Sequence, residues 1–454
     1  MPKKKEGMSF VDFSERLNES GNFREPWRIF RIMSEFVEGY QFLSTVKQEV
    51  TVLGSARTKK DTKYYKLARE VGKLLAKDGY TIMTGGGPGI MEAANRGAKD
   101  AGGESIGINI QLPFEQTINP FVTKSINVYY FFTRKVFLTS PAHSFLYFPG
   151  GYGTLDEFFE VVNHMDLGKM CHVPTILVGP EYWNPLLEFL QNEACSRGII
   201  DQKEVERWIV VDSAKQAQKA VKAHGKEAGV CELSPSNFHS GQADMDWRVF
   251  SIMAEIVQGF EFLTGLVEDV TVLGTRSIGT ESPYYAAAKD LGKQLAENGY
   301  ATVTGGADGI AEAANKGAMT AGGESYGIGL TVNNEQRLND YLNKSIMFKF
   351  PFTRKLIVTA PSKAFVFFPG GFGTMHHLLE VLTLIQTGKM QKIPIILYDS
   401  AFWAPFNKFI EQVLNKKFHT ISPSDASLYT VVDDIDDAMK IINKFRKKKS
   451  PTKK

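Results

Sequence analysis

Phe145-Leu-Tyr-Phe-Pro149-Gly-Gly-Tyr-Gly-Thr-Leu-Asp-Glu157-Phe-Phe-Glu-Val-Val-Asn-His-Met165 reads as strand, glycine loop and helix. Four apolar residues precede Pro149, and the run behind Glu157 is amphipathic. In such a turn, backbone N–H groups and a helix N-terminus converge on one spot, which favours a bound anion such as phosphate. The stretch returns at an offset of 220 as Pro369-Gly-Gly-Phe-Gly-Thr-Met-His-His377. The first copy ends in a carboxylate, Glu157, and the second in two histidines.

That offset holds along the chain. Trp27-Arg-Ile-Phe returns as Trp247-Arg-Val-Phe, Val52-Leu-Gly54 as Val272-Leu-Gly274, and Trp183 as Trp403. Between Tyr80 and Ile108, 19 of 29 positions are identical in the second copy, so both halves share one fold. A period this long marks whole domains rather than solenoid units, and 454 residues is too long for one ordinary core. The expected domains are residues 1–225 and 226–454, with a Gly-, Ser- and Pro-broken linker near 222–246.

In the first copy, helical spacing predicts a helix over 26–43 and another over 63–77, with strands over 49–53, 80–84 and 105–110. A helix through Met91, Ala94 and Ala98 lies between the last two strands. A longer loop and a helix near 134–139 lead to the strand at Phe145 and its glycine loop. A strand over 173–178, a helix from about Trp183 and a strand over 208–211 complete the copy. Alternation of this kind implies an α/β protein with two parallel sheets, each covered by helices on both faces. Ligands in that architecture sit at the carboxyl ends of the strands, where all these glycine loops fall.

Hydrophobic residues make up 43% and charged residues 23%, which is globular usage. A formal charge of +3 gives no support to specific nucleic-acid binding. The N-terminal Met-Pro-Lys-Lys-Lys-Glu has no signal-like apolar region and no run is long enough for a membrane span, so a cytoplasmic protein is expected. Cys171, Cys195 and Cys231 are far apart and odd in number, which argues against a disulfide framework. The histidines show no metal-ligand spacing, and no metal is expected. The basic run from Lys444 to Lys454 reads as a solvated terminus.

The loop Thr84-Gly-Gly-Gly-Pro-Gly-Ile-Met-Glu92 is neither a GxGxxG fingerprint nor a Walker loop, and Asn109 replaces the ribose-binding acid. Four glycines in five positions exceed what a turn requires, so Gly85, Gly86, Gly87, Gly89 and Glu92 are candidates for substrate contact. Thr154 and Glu157 have the spacing of a capping box, which competes with a role for Glu157 beside the anion. Adjacent helical residues point about 100° apart, so only one of Asp156 and Glu157 can face that site. Arg134-Lys135 recurs as Arg354-Lys355 and suits bidentate contact to phosphate or carboxylate. Arg57 is a weaker phosphate candidate.

Together the Gly85-Gly-Gly-Pro-Gly-Ile-Met91, Arg134-Lys135 and Pro149-to-Glu157 motifs resemble the LOG ("Lonely Guy") family, once labelled lysine decarboxylases. The similarity covers roughly residues 50–211 and 270–431. It implies two tandem Rossmann-like domains and a phosphoribohydrolase that splits a nucleoside 5′-monophosphate, AMP or a cytokinin riboside monophosphate, into base and ribose 5-phosphate. It further implies no cofactor, and a dimer with sites near the subunit interface. Carried over, the catalytic pair is Arg134 and Glu157, and the phosphate loop is Gly150, Gly151, Gly153 and Thr154. The plant-type segment Met-His-x-Arg-Lys is Phe131-Phe-Thr-Arg-Lys135 here. A nucleotide- or molybdenum-cofactor-binding protein without chemistry is the alternative.

The second copy replaces Glu157 by His377, Asp156 by His376, Gly87 by Ala307, Pro88 by Asp308 and Met91 by Ala311. Asp308 at ~5 Å from a phosphate would oppose it by about 3 kcal/mol at an effective dielectric near 20. A catalytically dead second domain is therefore expected. It would pack on the first as an intramolecular pseudo-dimer partner, or bind a nucleotide as a sensor; further homo-oligomerisation stays open.

Overall fold

The computed structural model describes residues 26–111, 118–140, 142–224, 242–266, 268–332 and 335–449. The expected boundary at 225/226 and most of the linker lie outside them, as do residues 450–454 of the basic tail. The first half runs α1 (Pro26–Leu43), β1 (Glu49–Leu53), α2 (Lys63–Lys77), β2 (Thr81–Thr84), α3 (Ile90–Asp100), β3 (Ser105–Ile110), β4 (Lys124–Val128), α4 (Phe131–Thr139), β5 (Ser144–Tyr147), α5 (Tyr152–Asp166), β6 (Thr175–Val178), α6 (Pro180–Phe189), α7 (Gln202–Glu206), β7 (Ile209–Val211) and α8 (Ala214–His224). The second repeats it: α9 (Gln242–Phe262), β8 (Asp269–Leu273), α10 (Pro283–Glu297), β9 (Ala301–Thr304), α11 (Ile310–Thr320), β10 (Ser325–Leu330), β11 (Lys344–Phe348), α12 (Pro351–Thr359), β12 (Ala364–Phe367), α13 (Phe372–Gln386), β13 (Ile395–Tyr398), α14 (Ser400–Lys408), α15 (Pro423–Ala426), β14 (Thr430–Val432) and α16 (Ile435–Lys449).

Each half is a seven-stranded, all-parallel sheet, ordered β4-β3-β2-β1-β5-β6-β7 and β11-β10-β9-β8-β12-β13-β14. The order reverses between β1 and β5, so the loops leaving those two strands diverge and open a crevice. The expected α/β architecture of two tandem Rossmann-like domains is what the chain adopts. Three elements depart from expectation. β4 lies inside the expected loop, because as an exposed edge strand Lys-Ser-Ile-Asn-Val carries little apolar pattern. Helices α7 and α8 were not anticipated. The basic run from Lys444 begins inside α16 rather than in a free terminus.

On one face of each sheet the core belongs to a single half. Val50, Val52 and Leu146 pack beneath α2, α3 and α8, and Val270, Val272 and Val366 pack beneath α10, α11 and α16. On the other face the cores run across both halves. One joins Tyr152, Leu155 and Phe159 of α5 to Phe372, Met375 and Leu379 of α13, and the other joins α1 and α4 to α9 and α12. Helices α5 and α13 lie against each other with matching positions opposed: Gly153 meets Thr383, and Gly373 meets Asn163.

Among the described residues no helix is long and apolar enough to cross a membrane. Cys195 is a free thiol, whereas Cys171 is disulfide-bonded, a bond that the spacing of the cysteines did not suggest.

Candidate functional site

At the first-half crevice, three backbone bonds knit the loops together. Ser55 N–H donates to the Pro149 carbonyl (3.0 Å), Phe148 N–H to Leu53 (2.8 Å), and Ile90 N–H to Ser55 (3.1 Å). Helices α3 and α5 both start here, with Gly89 and Gly151 as N-caps and no side-chain cap on either. Ile90 N–H of α3 is taken by Ser55, so the next N–H groups of α3, the first ones of α5 and both positive dipole ends are what an anion could meet.

Arg134 enters from α4 and Glu157 from α5, with Nη1 and Oε1 3.5 Å apart and both side chains about nine-tenths buried. Arg134 Nε also donates to the Ile108 carbonyl (3.0 Å). Burial pushes the Glu157 carboxyl above its ordinary value; Arg134 and then Lys135 pull it down, while Glu160 adds to the rise. Burial likewise lowers the Arg134 guanidinium, and Glu157 and Asp156 hold it up. Helix α5 begins at Tyr152, so Thr154 is an interior residue and the capping-box reading of Thr154 and Glu157 fails. Glu157 sits in the second turn, not the first, and its carboxylate answers Arg134. Asp156 points elsewhere, as the 100° argument requires.

The glycines have largely internal reasons. A Cβ at Gly85 would fall inside the Arg134 guanidinium, one at Gly89 would strike the Ser55 and Ala56 backbone, and one at Gly150 would strike Thr154. Gly86 and Gly87 offer their carbonyls to Asn119 Nδ2 (3.0 and 3.1 Å). Close packing within the chain is thus a sufficient reason for glycine at 85, 89 and 150. Gly151 abuts the second half instead, against the Thr420 carbonyl and Ile421, and Gly153 has no tight neighbour.

Three expected contacts are engaged by other side chains. The Lys135 ammonium is buried 2.7 Å from Asp156, 3.4 Å from Glu160 and 3.5 Å from Glu380 of the second half, so its charge belongs to the interface. Glu92 accepts from Tyr65 Oη (2.9 Å) and pairs with Lys60 (2.8 Å). Arg57 is half-exposed and reaches Asp425 of the second half (3.5 Å), whose carbonyl also accepts from Tyr152 Oη (3.0 Å).

Sequence reasoning missed the residues that shape this site. Thr84 Oγ1 binds Asn95 (2.7 Å) and accepts from Gly86 N–H (2.9 Å), while Asn119 also binds Asn95 (2.9 Å). Buried Glu35 of α1 accepts from Tyr129 N–H (2.6 Å), Tyr130 N–H (3.3 Å) and Thr133 Oγ1 (2.6 Å), which fixes the start of α4 and hence Arg134. Each has a twin at the offset of 220, in Thr304, Asn315, Asn339 and Glu255, and that recurrence was the available signal.

The matching crevice in the second half is a cleft of about 700 Å³ whose wall includes Asn163, Ile200 and Asp201 of the first half. There Arg354 Nη1 faces His377 Nε2 at 3.3 Å in place of a carboxylate.

Residues 91–221 and 311–442 both match the family model described as possible lysine decarboxylase. The chain is 30% identical over 182 residues to a cytokinin riboside 5′-monophosphate phosphoribohydrolase of Rhodococcoides fascians, covering 39% of this chain and 90% of that protein. It is 33% identical over 171 residues to the cytokinin riboside 5′-monophosphate phosphoribohydrolase LOG of Oryza sativa subsp. japonica, covering 37% and 68%. Among solved structures, the molybdenum cofactor carrier protein of Chlamydomonas reinhardtii aligns with 40% of this chain and 99% of its own, at 22% identity and a TM-score of 0.31. With both halves matched, the chain belongs to the possible lysine decarboxylase, or LOG, family and carries its domain twice.

Proposed function

We propose that the first half hydrolyses the N-glycosidic bond of a nucleoside 5′-monophosphate of the AMP or cytokinin riboside type. Water adds its hydroxyl to C1′ and gives up a proton, the C–N bond breaks with its electron pair leaving on the base, and the base nitrogen takes a proton. The products are free base and ribose 5-phosphate. The observation that carries this reading is the buried Arg134–Glu157 pair at the β1/β5 reversal, between two uncapped helix starts. Glu157, as carboxylate, stabilises the oxocarbenium charge and accepts the proton of the attacking water. The N-termini of α3 and α5 hold the phosphate and so place the sugar, with Arg134 orienting it.

The second half, with His377 where Glu157 stands, is read as a partner without turnover. It takes the place of a second subunit, closing the first site through Thr420, Ile421 and Asp425. Liquid chromatography of free base after incubation with a panel of nucleoside monophosphates tests the assignment. Wild-type protein should release base, and Glu157→Gln should lose about 10²–10⁴ of the rate. A wild-type protein inert toward every member would remove the hydrolase reading, and a fully active Glu157→Gln would remove Glu157 from its role.

A further inference from the structure

We propose that the cleft of the second half binds a phosphate-bearing nucleotide and holds it uncleaved. The inference rests on the reading that this scaffold accepts nucleoside monophosphates, and extends it to a cleft that has no counterpart of Glu157. Its volume of about 700 Å³ lies within the range of ~300–1,000 Å³ usual for small-molecule sites. It opens between the loops leaving β8 and β12, where that sheet reverses its order.

Arg354 lines the cleft from α12. Its Nε donates to the Ile328 carbonyl (2.8 Å) and its Nη1 faces His377, but among the described residues no carboxylate pairs with it. Desolvation lowers its pKa to about 10 and no acid among the described residues pulls it back, so it is a half-buried cation lacking a counter-ion at neutral pH. Such a charge is costly unless an anion meets it.

His377 adds a second, independent demand. It is 4% exposed, lines the cleft, and its Nδ1 has no hydrogen-bond partner among the described residues. Burial, then Lys355 and Arg354, push its pKa well below the ordinary value, so the ring is neutral. A neutral ring whose Nε2 accepts from Arg354 must carry its proton on Nδ1. That leaves an orphan donor beside an unpaired cation, both suited to a phosphate or ribose oxygen. The starts of α11 and α13, capped by Gly309 and Gly371 without side-chain help, bring further N–H groups to the same cleft.

The acids of the cleft do not cancel this. Asp308 is exposed, so solvent screens the repulsion expected of it, and Glu335 is paired with Arg337 at 2.7 Å. Asp166 and Asp201 come from the first half and are exposed, so solvent screens them as well. Without a carboxylate at 377, bound nucleotide has no group there to take the proton of water.

Equilibrium dialysis of the full-length Glu157→Gln protein against labelled AMP counts bound nucleotide without turnover. Two AMP per chain are expected, falling to one when Arg354→Gln is added. Because Arg354 is half-buried and bonded to the Ile328 carbonyl, Arg276→Glu at the exposed mouth of the cleft serves as a second variant, and should weaken that site by about tenfold. Inorganic phosphate should compete for the site lost with Arg354, and adenosine should not. A count unchanged by both variants, or adenosine competing as well as AMP, would overturn the proposal. Base release by the wild-type protein is scored separately, so failure of the hydrolase reading and failure of this site give different results.

Discussion

The difference between the two halves comes down to one contact. In the first, a guanidinium faces a carboxylate at 3.5 Å; in the second, the same guanidinium faces a neutral imidazole at 3.3 Å. Gly85 makes the first contact possible, since any side chain there would displace Arg134. In the proposed hydrolysis Glu157 works as its ionised form, and burial raises its pKa above 4.5 while Arg134 is the chief group opposing the rise. Activity should therefore climb with pH along an acid limb lying above 4.5. Replacing Arg134 by Gln removes the main cation, so the limb of the residual rate should move to higher pH. Profiles of kcat/KM for base release from about pH 4 to about pH 9 check this. A limb that stays in place would mean that Arg134 does not set the charge of Glu157.

At the scale of elements, helix starts separate what the sequence disclosed from what it concealed. Thr62 is a working cap: its hydroxyl accepts from Tyr65 N–H at the start of α2. Thr154 has the more persuasive pattern yet sits inside α5, whose cap is Gly151. Thr62→Ala should cost about 1 kcal/mol of unfolding free energy as a lost cap, whereas Thr154→Ala should not carry that cost. Urea denaturation of the two variants compares them, and a larger loss at Thr154 would restore the capping reading. The same contrast explains how far the fold could be read. The α1, α2, β1 and β3 boundaries follow from apolar spacing, because those elements bury one face or both. β4 escaped because it is an edge, and Glu35 escaped because its purpose, fixing α4 from 94 residues away, is a contact that no local pattern encodes. The family motif nominated Arg134 and Glu157, whose side chains meet at 3.5 Å. The packing role of the glycines was not legible, because a cramped backbone and a ligand-facing backbone select the same residue.

At the scale of the whole molecule, the halves meet through a buried charge cluster that shared ancestry alone would not have balanced. Lys135 faces Asp156, Glu160 and Glu380; Lys355 faces Glu380 and His376; His376 stands 3.7 Å from both Asp156 and Glu160. Had residue 376 been Asp, like residue 156, two lysines would have confronted four carboxylates. His376 and His164 are kept neutral chiefly by burial, so two cations face three acids and one acid is left over. Burial is the main reason that the Asp156 carboxyl rises to about 7, making it the one that keeps a proton. A carboxyl whose folded pKa lies above its unfolded value of 3.8 binds the proton more tightly in the folded chain. Its stabilisation is present at low pH and is lost as pH rises through about 7. The urea midpoint of the full-length protein should thus fall between about pH 4 and about pH 7, and Asp156→Asn should flatten that fall. His376→Asp should steepen it by returning a fourth acid to the same pocket. If Asp156→Asn and wild type decline in parallel, the proton lies elsewhere. If His376→Asp leaves the slope unchanged, the histidine is not what balances the interface.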